Sequence, residues 1–421
     1  MISRANSYLF YNFVTIYFIY AMAAGILFEK QSIASYVIGL LFGSYVVYYN
    51  LLHVRKPQEY RVIYYYVFFL LILVLFSSEL VYSLKIYLKA IIPFLFYPIS
   101  QSIVKNRQHL KRLNKSMLIL LLLYLLNLIL ANYFHLGGMS YENEDTLDVG
   151  NIYKTGLNSM AYILVLMPLL LKVNYSERKT VIIIYYILGV IVFVTMIIFI
   201  KRGAILSVLS GYFIFVLLYS KAKKRKIIAN TILIVLLLWI SYPLYGELFE
   251  QRFQARESRF LENSMETEGR YLETFIVIDE VLTLDQPLKA LFGHELFNSP
   301  GNYYGGRWGN RQLHNDYANL LNGSGLVGIF LFFYVNYIIQ KQFLRARSKI
   351  NNGTTIHLEY DRLFTSTYYA VFGMYFFMSL SGGIDGIFYS SIRFIYLGAI
   401  SGIYLNLTTA NQVQSKGLMS S

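Results

Sequence analysis

Apolar residues run along this chain in blocks of about 18 or more, each long enough to cross a bilayer as one helix. The pattern predicts spans near residues 7–28, 33–52, 61–83, 86–104, 116–136, 155–172, 179–200, 203–220, 227–245, 318–340, 363–381 and 391–409. The blocks are continuous rather than alternating. An all-α polytopic membrane protein of about twelve helices is therefore expected, and a β-barrel is not. Between 61 and 104 the only break is Ser77-Ser78-Glu79, and Pro93 and Pro98 disturb the second half. Residues 8–28 have a rival reading as a signal peptide, because Ala21-Met22-Ala23 resembles a cleavage box. The apolar stretch exceeds a typical signal core, so an uncleaved first span is expected. Polar residues gather in one long segment, roughly 246–315. It separates nine spans in 1–245 from the last three, with a tail, in 316–421.

Composition agrees with that class. The chain is 56% hydrophobic and 14% charged, against about 25% charged in soluble domains. Its 40 Tyr and 31 Phe suit membrane interfaces. There are no cysteines, which removes disulfides, thiolate metal sites and a cysteine nucleophile. The net charge of +14 reflects basic loops. Most of the 37 Lys and Arg fall between alternate spans, in groups such as Lys105, Arg107, Lys111, Arg112 and Lys115, or Lys221, Lys223, Lys224, Arg225 and Lys226. Positive residues mark the cytoplasmic side. Both termini are thus expected to be cytoplasmic and the long loop extracytoplasmic. Spreading the charge over short loops argues against a nucleic-acid partner. The short outer loop Tyr141–Asp148 is acidic; Glu142, Glu144 and Asp145 read there as solvated residues, with no metal site.

The long loop is expected to hold helices. Arg252, Arg256 and Arg259 share one helix face by spacing. Tyr271, Phe275, Ile278 and Leu282 form an apolar stripe, predicting an amphipathic helix that lies on the membrane or on the spans and is stopped by Pro287. Glycines from Gly293 to Gly309, with Pro300, predict a turn-rich stretch.

Within this frame the candidate chemistry is cationic. Lys201-Arg202-Gly203 sits at a tight outer turn, where positive charge is disfavoured. An arginine there either snorkels to the interface or grips an anion bidentately. The Arg252/Arg256/Arg259 stripe equally fits headgroup anchoring or diphosphate binding. Arg270 either compensates Glu266 or Glu273 or reaches a phosphate. Arg307 and Arg311 lie among glycines, where backbone can approach a ligand closely. His314 precedes Asn315-Asp316, which resemble N-cap residues of a helix beginning near Tyr317. It is either a neutral proton acceptor or a cap for backbone groups. Asp316 is a rival base. His294, after Gly293, reads as structural. Tyr303, Tyr304 and Trp308 offer faces for sugar rings or act as interface anchors. The main intramembrane charges are Lys85 and Lys89, which are expected to snorkel outward. No phosphate-binding glycine loop, zinc pattern or nucleophile elbow appears.

These residues resemble a family. K-R-G-A at 201–204, G-R-Y-L-E-T-F at 269–275, F-G-H at 292–294 and H-N-D-Y-A-N-L-L-N-G-S-G-L-V-G at 314–328 are similar, in order and spacing, to the O-antigen polymerase and O-antigen ligase superfamily. The resemblance covers most of the chain. It implies a GT-C-like fold in the bacterial inner membrane. It also implies metal-independent, inverting glycosyl transfer without a cofactor, from glycans carried on polyprenyl diphosphate. Family arginines map onto Arg202 and Arg270, and the family histidine onto His314. Where relatives often carry an acidic residue before the final glycine pair, this chain has Ser324, with Asn322 nearby. A polymerase joins lipid-linked repeat units, and a chain-length regulator protein is then a candidate partner. A ligase moves the glycan to a lipid or protein. The high Tyr and Phe content and the divergent loop favour the polymerase. A transporter of lipid-linked sugars is the reading from another class, but no related halves are visible.

Overall fold

The computed structural model describes residues 9–17, 19, 33–53, 60–134, 153–198, 202–219, 269–282, 286–297, 313, 315–348, 350, 358–380 and 387–419, with isolated positions between 242 and 254. Among the described residues the fold is all-helical. The helices are α1 (9–17), α2 (Ile33–His53), α3 (Arg61–Val74), α4 (Leu80–Ile103), α5 (Arg107–Phe134), α6 (Tyr153–Tyr175), α7 (Lys179–Ile198) and α8 (Arg202–Tyr219). They continue as α9 (Gly269–Leu282), α10 (Pro287–Phe292), α11 (Asp316–Ser348), α12 (Leu358–Ser379) and α13 (Ile387–Met419).

Five of the described helices, α4, α5, α6, α7 and α11, are long and apolar enough to cross a membrane; α3 and α8 are shorter apolar helices. The chain is therefore a helical membrane protein. Of the expected spans, 227–245 lies outside the described residues apart from Tyr242, and so does 20–28 of the first. α6 and α13 form the centre, and nearly every side chain in Leu157–Val173 and Ser391–Tyr404 is buried. Outward faces are apolar too: Ile183, Ile184, Ile187 and Ile191 on α7, and Leu206, Leu209, Phe213 and Leu217 on α8, are exposed. Apolar residues on both sides of a helix are what a lipid solvent requires.

α4 and α13 touch backbone to backbone. A Cβ on Gly398 would stand 2.3 Å from the Tyr97 carbonyl oxygen, and one on Gly402 would stand 2.4 Å from that of Gln101. Small residues four apart allow this approach, as they do in other membrane helix pairs. Ser100 Oγ then donates to the Ile395 carbonyl at 2.6 Å.

The stretch 61–104 divides earlier than the expected boundary near 83–86. α3 ends at Val74 and α4 begins at Leu80, and α4 runs through both Pro93 and Pro98. The cause is tertiary. A single Glu295 oxygen accepts from Ser77 Oγ at 2.7 Å, from the Ser78 amide at 2.5 Å and from Ser78 Oγ at 2.7 Å. Hydrogen bonds to a charged group contribute about 1.5–3 kcal/mol each, enough to hold the turn open.

The two ends of the bundle differ. One end is basic and tied by side chains. Arg347 pairs with Asp361 at 3.0 Å, and Tyr404 donates to Asp361 at 2.7 Å. Arg107 lies 4.6 Å from the Tyr360 ring centroid and donates to the Val173 carbonyl at 3.5 Å. This end therefore holds the start of α5, the end of α6, the end of α11 and the start of α12. The opposite end holds the α3–α4 turn, α9, α10 and the start of α11.

Candidate active site

Three of the segments quoted above meet at that opposite end. Asn315 caps α11, because its Oδ1 accepts from the Tyr317 amide at 2.9 Å. The same side chain donates through Nδ2 to Thr274 Oγ1 at 3.2 Å, joining α11 to α9. Leu313, Ala318, Val277 and Val281 form a small apolar cluster beneath this contact. Arg270 occupies the first turn of α9, one turn before Thr274, and His314 stands between Leu313 and Asn315. G-R-Y-L-E-T-F is thereby packed against the segment that bears H-N-D-Y.

α9 does not lie on the spans by its expected stripe. Phe275 is 70% exposed and Ile278 and Leu282 are also exposed, whereas Glu273, Val277 and Val281 are fully buried. The helix has two apolar faces, and among the described residues the face carrying the valines is the one packed against protein. Pro287 also acts differently from the expectation. α9 ends at Leu282, and Pro287 opens α10 in its first turn, where the missing N–H costs nothing.

The F-G-H turn locks onto α11 through glycines. The His294 amide donates to the Asn322 carbonyl at 2.6 Å. Gly293 has φ +81°, and a Cβ there would stand 2.5 Å from the carbonyl carbon of Gly323 and from the amide nitrogen of Ser324. Gly325 has φ 60° and ψ −161° and breaks α11 into two helical stretches. A Cβ on it would stand 2.4 Å from the Leu291 carbonyl. The continuous apolar pattern of 318–340 carries no sign of this kink. Ser324, which departs from the resembled pattern at this position, is buried, and its Oγ donates to the Leu320 carbonyl at 2.6 Å. A cavity of about 340 Å³ opens beside the junction, lined by Leu73, Phe76, Lys289, Phe292, His294 and Leu296 among others.

Arg202 begins α8 at the same end. α6 finishes at the basic end, and the connections 176–178 and 199–201 are both short, so the chain reverses twice and α8 runs parallel to α6. Tyr212 donates to the Leu164 carbonyl at 2.9 Å and joins the two helices near their midpoints. The positions of Arg202, Arg270 and the His314 segment thus share one end of the bundle. The side chains of Arg202 and Arg270 lie outside the described residues, as do His314, Arg252, Arg256, Arg259, Tyr303, Tyr304, Arg307, Trp308 and Arg311, and Glu142, Glu144 and Asp145. Asp316 is described and buried, 9% exposed, in the first turn of α11. A helix N-terminus favours a carboxylate there.

One residue escaped the sequence reading. Arg393, inside the last expected span, is completely buried, whereas Lys85 had seemed the more notable intramembrane charge. The signal was a charge inside an apolar run. Its place two residues from the expected start of that span made it look like an interface residue. No protein-family model matches the chain, and no curated protein matches it.

Proposed function

We propose that this protein is a membrane-embedded glycosyltransferase that joins oligosaccharide repeat units carried on polyprenyl diphosphate. The lipid tail lies among the spans, with the diphosphate at the outer interface. Arg202 and Arg270 bind the diphosphate and offset the charge that develops as it leaves. His314 takes the proton of an acceptor hydroxyl, which attacks the anomeric carbon in one displacement and inverts it. The observation that carries the reading is the Thr274–Asn315 hydrogen bond. It ties the helix that begins with Gly269-Arg270 to the residue following His314.

The experiment is transfer by purified protein given lipid-linked repeat units alone. A ladder of longer lipid-linked glycans is expected. Unchanged single units would remove the polymerase reading, and transfer only after adding a lipid or protein acceptor would identify a ligase. Movement of label across vesicles with no new glycosidic bond would identify a transporter.

The same reading places the protein in the bacterial inner membrane with the site facing outward. The lack of native cysteines makes this simple to check. Lys105→Cys lies at the basic end and Gln286→Cys beside α10, both at exposed positions. A membrane-impermeant maleimide on intact spheroplasts is expected to label Gln286→Cys and not Lys105→Cys. The reverse pattern would invert the topology.

A further inference from the structure

The cavity of about 340 Å³ beside the α10–α11 junction combines two kinds of lining. Leu73 and Phe76, from the end of α3 and the turn after it, and Leu288 and Phe292, from α10, make it apolar. Lys289 and His294 bring an ammonium and an imidazole to the same space. Its volume falls within the roughly 300–1,000 Å³ of small-molecule sites.

The polar groups are uncommitted. Among the described residues, neither the Lys289 ammonium nor the His294 ring has a hydrogen bond or an ion pair. Glu295 also lines the cavity, but one of its oxygens already accepts from Ser77 Oγ and from both donors of Ser78. That carboxylate is engaged by the α3–α4 turn. The lining is also fixed in place. The His294 amide donates to the Asn322 carbonyl at 2.6 Å, and a Cβ on Gly323 would stand 2.9 Å from the Leu296 Cα. Backbone contacts this close leave the cavity formed before a ligand arrives.

The rim points to the bilayer. Phe76 and Leu288 are 82% and 72% exposed, and Leu75 and Val81 are exposed near them. α4, one of the helices able to span, starts at Leu80, so the rim lies where a span meets the membrane surface. A soluble anion would meet the ammonium and leave the apolar walls wet. A plain hydrocarbon would cover the walls and leave the ammonium half-buried with no counter-charge. A protein partner needs about 800 Å² on each side, far more surface than this cavity presents. A phosphate ester on an apolar chain satisfies both linings, because phosphate takes charge-assisted hydrogen bonds and basic pockets beside spans hold anionic headgroups.

We propose that this cavity binds one anionic phospholipid from the leaflet at this end of the bundle, with its phosphate on Lys289 and His294 and the start of an acyl chain against Leu73, Phe76, Leu288 and Phe292. The proposal does not depend on the glycosyltransferase reading.

Photolabelling of the purified full-length protein in nanodiscs of phosphatidylcholine tests it. The probe is phosphatidylglycerol with a diazirine in one acyl chain, and the labelled peptides are mapped. Label is expected on Leu73–Phe76 and on Leu288–Phe292. Lys289→Gln is expected to lower that label about fivefold, the share of one lysine near anionic headgroups. Lys105→Gln, at an exposed position of the basic end, is expected to leave it unchanged. Leu73→Trp fills the cavity and is expected to abolish it. Should that variant not purify, Phe76→Ser removes an apolar wall at an exposed position and is expected to weaken the label. Label confined to other surfaces, or undiminished in Lys289→Gln, would overturn the proposal, and so would equal label from a phosphatidylcholine probe. Competition separates the sources of phosphate. Unlabelled phosphatidylglycerol is expected to displace the probe. Displacement by inorganic phosphate would reveal a free-anion site, and displacement by a polyprenyl phosphate at lower concentration than phosphatidylglycerol would assign the cavity to a carrier lipid; either result overturns the phospholipid.

Discussion

On the proposed reading, His314→Ala is expected to reduce glycosyl transfer by about 10²–10⁴-fold, the range that a positioned general base supplies. The loss should fall on kcat, because the base acts on the acceptor hydroxyl in the transition state and adds little to donor binding. A neutral imidazole accepts the proton and an imidazolium does not. The arginines behave differently. Arg202→Ala and Arg270→Ala each remove a donor from the departing diphosphate, with an expected loss of about 10²–10³-fold. Lysine restores little at either position, because an ammonium is a point charge and cannot make the two-pronged contact. The check is a transfer assay with each variant purified to the same folded fraction. Full activity after His314→Ala would assign the proton to another group, with buried Asp316 the first to examine.

Gly325→Ala is expected to be the most damaging small substitution in the helical scaffold. The residue has φ 60° and ψ −161°, a region that essentially only glycine occupies, at about 1–3 kcal/mol for other residues. Space adds to the penalty. The new methyl would press on the Leu291 carbonyl at 2.4 Å, and a backbone group cannot rotate away as a side chain can. Gly293→Ala meets the same obstacle from the other side of the junction, with φ +81° and backbone atoms at 2.5 Å. Either change forces the turn that carries His294 off α11 and breaks its hydrogen bond to Asn322. A destabilisation above about 3 kcal/mol is expected, read as a fall in Tm together with lost transfer. Gly43→Ala is the control. Its Cβ would meet only the end of the Ile92 side chain at 3.3 Å, and α2 gains up to about 1 kcal/mol of helix propensity. Equal Tm for Gly43→Ala and Gly325→Ala would show that the junction does not depend on the glycine.

Much of the local structure could be read from the residues. Continuous apolar runs announce membrane helices because a bilayer leaves the backbone no other partner. The cap at Asn315 is legible because an amide side chain before an apolar run satisfies the first N–H groups. The helix over Gly269–Leu282 follows from its periodicity. Its orientation does not, since Phe275 and Val277 are equally apolar and only packing shows that, among the described residues, Val277 is buried and Phe275 is exposed. Periodicity reports that a face avoids water. It cannot report whether lipid or protein covers it.

The sequence by itself determined the helical membrane class, the basic end and the segments that bear Arg202, Arg270 and His314, because these depend on local hydropathy and charge. Tertiary structure alone decided the rest. The turn at Leu75–Glu79 falls on the polar break at Ser77-Ser78-Glu79, but what fastens it is Glu295, more than two hundred residues away. The kink at Gly325 exists because Leu291 and Gly293 occupy the space beside it. The burial of Arg393 exists because Asn336 and Tyr375 come from two other helices. Each is a contact between remote parts of the chain, and no local preference encodes a partner that only folding brings near.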